Sequence, residues 1–156
     1  MKGLGIALTA FVASAAVGVA MLFFVESRYE PVDEMVASFI EGKVEGNDDL
    51  LASVLSEDAQ GIIKPGRHAF PGDAEVMGNR YEIVRYSHRY KEGVMIYEVT
   101  FYRPSTEMLD HYNVLVLNKY GEWRIARNSN FDESWMMDEI ETHEGKLIHR
   151  FGEGSE

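Results

Sequence analysis

Six side chains in the second half of this chain are of types that carry protons: Tyr86, His88, Tyr97, Asp110, His111 and Tyr112. A histidine or aspartate base beside a tyrosine hydrogen-bond donor supplies the parts of general acid–base catalysis. His88, Asp110, His111 and Tyr86 are the candidate catalytic residues. If Val84 and Tyr86 point inward, so does His88, because alternate strand residues share a face. A structural reading competes. Tyrosine is an ordinary strand former, and His88 falls near a strand end, where water reaches it.

A second grouping is basic and aromatic. Arg80, Arg85, Arg89 and Lys91 alternate with Tyr81, Tyr86, His88 and Tyr90. In an acidic protein such a stripe suits an anionic partner, for example an envelope protein or a cell-wall polymer. The same cations also suffice to neutralise acidic residues on neighbouring helices.

Other chemistries lack their residues. The five histidines, at 68, 88, 111, 143 and 149, have no paired spacing of the His-Glu-x-x-His kind, and there is no cysteine to join them; no metal site is expected. Asn47-Asp48-Asp49 lacks the alternating ligands of a calcium loop. Neither a phosphate-binding glycine loop nor a Gly-x-Ser-x-Gly elbow occurs, so no cofactor is expected.

The elements that must position these groups begin with an anchor. Leu4 to Val25 runs 22 residues without a charge. At about 1.5 Å per residue, a helix of that length crosses a hydrocarbon core of about 30 Å. Residues 1–25 therefore read as a transmembrane anchor, with membrane contact through 4–25. A cleaved signal peptide is the competing reading, with Ala13-Ser14-Ala15 as the cleavage site; cutting there leaves the apolar stretch Ala16 to Val25 as a new N-terminus. Lys2 precedes the segment, while Glu26, Arg28 and Glu30 follow it. This places the N-terminus in the cytoplasm and the domain outside. Ala10, Ser14 and Gly18 lie four apart on one face, where a second copy can approach closely; a homodimer would use that face.

All 26 acidic residues follow the anchor, against 14 of the 15 basic ones, a net charge of −12 for the remainder. Nucleic acid and anionic lipid heads repel such a surface, so no nucleic-acid role is expected.

Residues 26–30 are a short polar linker, and 31–151 form one α+β domain with a mobile tail at 152–156. Val32, Met35, Val36, Phe39, Ile40 and Val44 follow at helical steps, and Asn47 offers a cap for a second helix carrying Leu50, Leu51, Val54 and Leu55. Residues 61–79 are broken by glycine and proline, with Ile62-Ile63 as a short strand and residues 73–77 as one helical turn. From Arg80 the period becomes two. Strands are expected over 81–90, 94–103, 111–119 and 122–128, in an antiparallel meander. Met95, Tyr97, Val99 and Phe101 share one face of the second strand, almost wholly apolar. That suits a filled core or a greasy ligand better than acid–base work. After Asn130 a helix returns, with Phe131, Trp135, Met136 and Ile140 towards the sheet. Gly145 ends it, and Leu147, Ile148 and Phe151 add an edge contact.

The stripe Val32 to Val44, the entry Gly46-Asn47-Asp48-Asp49-Leu50-Leu51 and the closing hairpin Tyr112 to Ile125 together resemble the NTF2-like superfamily, the cystatin-like α+β cone. The resemblance covers roughly residues 31–130 and implies a long helix packed in the concave face of a curved antiparallel sheet. The superfamily holds isomerases and dehydratases, and also non-enzymatic domains anchored to bacterial membranes. The expectation is a membrane-anchored extracytoplasmic domain that binds or assembles without catalysis. Its alternative is a membrane-tethered isomerase- or dehydratase-type enzyme acting on a small apolar molecule.

Overall fold

The apolar stripe that starts at Val32 does form a helix, α1 (Glu30–Glu45), in the computed structural model of the chain. The structure describes residues 26–60, 81–86, 92–103, 108–126 and 133–149. Val32, Val36, Phe39 and Ile40 are the buried large residues of α1. Gly46 ends the helix at φ 67°, a left-handed conformation that costs glycine little. There the Asn47 N–H donates to the Gly42 carbonyl at 2.8 Å. Asn47 then caps the next helix, α2 (Asp48–Val54), its Oδ1 accepting from the Leu50 N–H at 3.0 Å. A short helix, α3 (Glu57–Gln60), follows it.

The expected meander is present. Strands β1 (Tyr81–Arg85), β2 (Val94–Arg103), β3 (Met108–Lys119) and β4 (Glu122–Ala126) pair antiparallel in turn. The third strand starts at Met108, three residues before the expected start at 111, and the fourth ends at Ala126. Helix α4 (Glu133–Thr142) comes next, and strand β5 (Lys146–His149) pairs antiparallel with β1. The sheet order is β4-β3-β2-β1-β5. The edge contact expected of Leu147 and Ile148 is a full strand on the β1 edge.

Register and alternation divide the sheet into two faces. The inner face carries Tyr81, Ile83 and Arg85 of β1, opposite Phe101, Val99 and Tyr97 of β2. These in turn lie opposite Asp110, Tyr112 and Val114 of β3. Helix α1 lies over this face, with Asp33 bonded to Arg85 and Tyr97 and Lys43 Nζ 4.9 Å from the Tyr112 ring centre. Helix α4 covers part of the other face. There Met136 packs with Ile96 and Leu115, and Trp135 and Ile140 close around them. The domain is thus α+β, a curved antiparallel sheet with helices on both faces.

The chain divides into two compact units, residues 1–31 and 32–156. Of the first, the described part is a helical turn in which the Tyr29 N–H donates to the Glu26 carbonyl at 2.9 Å. The expected anchor, residues 4–25, lies outside the described residues, as do 61–79, Phe131, Phe151 and the tail. Among the described residues no helix is long and apolar enough to cross a membrane.

Candidate functional site

The polar atoms at the centre of the inner face come from three elements. Asp33 sits in the first turn of α1, three and seven residues before Val36 and Ile40, so it occupies the same stripe. Arg85 ends β1 on the face of Ile83, and Tyr97 faces it from β2 in register. The Arg85 Nη1 donates to Asp33 Oδ2 at 2.6 Å, and the Tyr97 hydroxyl donates to Asp33 Oδ1 at 2.7 Å. The Arg85 side chain is 2% exposed and that of Asp33 14%; Tyr97 is fully buried.

Burial dominates the proton affinities here. It pushes the Asp33 carboxyl above the usual carboxylate range, against the Tyr97 hydrogen bond and the charges of Arg85 and Lys146. Burial also raises the Tyr97 hydroxyl, and the neighbouring Asp33 raises it further. The phenol therefore stays protonated and acts as donor. Both carboxylate oxygens of Asp33 are occupied by donors from the sheet, so the cluster pins the start of α1 to β1 and β2.

The residues singled out from the sequence are not brought together. Tyr86 lies on the outer face, not inward: its hydroxyl donates to Glu98 Oε2 at 3.2 Å, and Glu98 alternates with the inward Tyr97. Burial and then Glu98 raise its phenol. His111 is exposed and pairs with Thr100, which also faces outward. Asp110 holds a place in β3 opposite Phe101. His88 lies outside the described residues. Of the basic stripe, Arg80, Arg89 and Lys91 also lie outside them, and Arg85 does not belong to an exposed surface. Strand alternation turns Arg85 into the interior, where Asp33 holds it, so it is closed to a macromolecular partner. Among the described residues no group of three histidines or acids is placed to hold a metal ion.

Asp33 escaped the sequence reading because an acid in a first helical turn has a sufficient explanation in the helix dipole. Its signal was its position. It is an acid on an apolar helical stripe, and Arg85 is a cation on an apolar strand face. Two isolated opposite charges on two buried faces imply a pair between them.

Most of the rest of the described inner face is apolar, with the half-buried Tyr112 beside it. Phe39, Met95, Val99, Phe101, Val114 and Val116 are all buried. Towards the end of α1, Phe101 and Tyr112 meet edge to face at 6.1 Å, and Lys43 lies 4.5 Å from the Phe39 ring centre. Tyr81 stacks on His149 at 4.6 Å. Burial raises the Tyr81 phenol, with Glu41 and Glu45 adding to it. No protein-family model, curated protein or solved structure matches the chain.

Proposed function

We propose that this chain is a membrane-tethered domain that works by binding and not by turnover. Residues 4–25 are its anchor, the domain lies outside the cytoplasm, and its fold is an NTF2-like cone with a filled interior. The observation that carries the reading is the use made of the inner face. Phe39, Met95, Tyr97 and Phe101 are buried there. The acid among them, Asp33, is committed to Arg85 and Tyr97 at 2.6 and 2.7 Å. An enzyme of the isomerase or dehydratase type needs a water-accessible cavity on which two polar groups converge. Here the central polar groups converge on one another. Partners are then an envelope protein or polymer, with self-association through Ala10, Ser14 and Gly18 as a second contact.

The test is a turnover screen of the purified chain against small apolar ketones, hydroxy acids and epoxides. No turnover is expected. Turnover that disappears on changing Asp33, His88 or Asp110 overturns the reading in favour of the tethered enzyme.

A further inference from the structure

The β3–β4 turn is built from Tyr120 and Gly121, at φ 59° and 90°. Lys119 pairs with Glu122 across it, so the loop has two residues and both are left-handed, as in a type I′ turn. Such turns favour asparagine or glycine at the first position. A tyrosine there is strained. No burial offsets the strain, because the Tyr120 ring is fully exposed. The neighbouring asparagine, Asn118, instead accepts the Gly121 N–H at 3.0 Å. An aromatic ring kept in a strained turn without packing has its use outside the chain.

Tyr120 stands at the rim of a cavity of about 420 Å³ on the outer face of this hairpin. Leu55, Leu117 and Ala126 give the cavity an apolar floor. Lys119 and Arg124 face Glu57 and Glu122 around it, so its charges cancel. The Arg124 Nη2 donates to Glu122 Oε2 at 3.2 Å, which sets a donor and an acceptor side by side. Ser56 also lines the cavity, and its buried hydroxyl has no hydrogen-bond partner among the described residues.

We propose that this cavity is a binding site for a neutral oligosaccharide. A sugar ring has an apolar C–H face and a polar rim, which match the small floor, the Tyr120 ring and the paired charges. Vicinal hydroxyls accept from Arg124 and donate to Glu122 without separating the pair. An anion finds no net positive charge here, in a domain that is itself acidic. A peptide strand cannot add at this place. The β4 edge is already engaged through the Leu55–Ile125 bridge, and Ser56 N–H donates to the Ile125 carbonyl at 2.9 Å. The proposal rests on the binding reading above and adds a place and a ligand class to it.

The experiment is an NMR titration of the full-length chain, in a detergent without a sugar head group. The probes are maltotriose, cellotriose and tri-N-acetylchitotriose. At least one should give saturable shifts at Ser56, Tyr120 and Gly121. Tyr120→Asn should weaken that binding roughly tenfold, the loss expected for one aromatic contact, and should melt no lower than the wild type because asparagine suits the turn. Arg124→Ala should weaken binding as well. Absence of saturable shifts with all three sugars overturns the proposal, and so does unchanged binding in both variants. The turnover screen is unaffected by either result, so failure of the sugar site is distinguishable from failure of the binding reading.

Discussion

Removing Asp33 and removing Arg85 should not cost the same, although each breaks the same bond. Asp33→Ala takes the carboxylate away from a guanidinium that is 2% exposed and bonded to it at 2.6 Å. Arginine cannot shed its proton, so the charge stays buried. Breaking a buried pair in this way costs about 3–5 kcal/mol. The Tyr97 hydroxyl loses its acceptor at the same time. Arg85→Met leaves the acid, which has an escape. Burial already raises the Asp33 carboxyl, and without the cation it takes up a proton more readily. Keeping it protonated costs about 1.4 kcal/mol for each pH unit above its own pKa. Arg85→Met should therefore be mild near pH 5 and worse at pH 8, while Asp33→Ala is severe and nearly flat.

The wild type carries the matching sign. Its fold binds the Asp33 proton more tightly than the unfolded chain does. Asp33 thus lowers stability as pH rises from the ordinary aspartate value of 3.8 through its raised value, and contributes no further slope above it. Replacing all three polar groups together, as Asp33→Leu, Arg85→Met and Tyr97→Phe, should restore most of the loss. The assay is urea unfolding at pH 5 and pH 8, followed by the fluorescence of Trp123 and Trp135. The reasoning fails if Asp33→Ala costs less than about 1 kcal/mol, or if Arg85→Met costs as much as Asp33→Ala at pH 5.

Three further outcomes follow from the same packing. Phe39→Ala should lose about 3–5 kcal/mol and leave an apolar void that binds benzene, seen as a rise in melting temperature with benzene present. Gly145→Ala should cost about 1–3 kcal/mol in a thermal melt, since its new Cβ would stand 2.4 Å from Val84 Cγ1 and 2.7 Å from Tyr86 Cε1. The chain has no cysteine, so Glu57→Cys offers one label site. A membrane-impermeant maleimide should reach it in intact cells if the domain lies outside, and labelling that requires lysis would reverse the topology.

Periodicity made most of the architecture legible. Helix α1 and the meander β1 to β4 read correctly because Val32 to Ile40 repeats at 3.6 and Met95 to Phe101 at 2, and both buried faces are continuous. β5 was harder. Four residues with an exposed Lys146 and Leu147 leave little pattern, and their pairing with β1 is set by the distant end of α4. The direction of β1 was also ambiguous. Alternation placed Tyr86 and Arg85 on opposite faces but did not choose between them, since tyrosine looks the better core residue and arginine the better surface one. The Asp33 partner decides it, and that contact spans 52 residues of sequence. The rim of Tyr120 and Arg124 stayed hidden for a similar reason. A Tyr-Gly turn is visible in sequence, but the cavity beside it also needs Leu55 to Glu57, which β4 recruits from the far side of the chain.

The space between α1 and the sheet is a packed core and not a chamber for substrate. Xenon enters apolar cavities and shifts the methyl groups that line them. An NMR titration with xenon should leave Val36, Ile40, Ile83 and Val99, all buried on that interface, without saturable shifts. Saturable shifts at these four residues would show an open apolar cavity against Asp33 and Tyr97 and rule out a packed core.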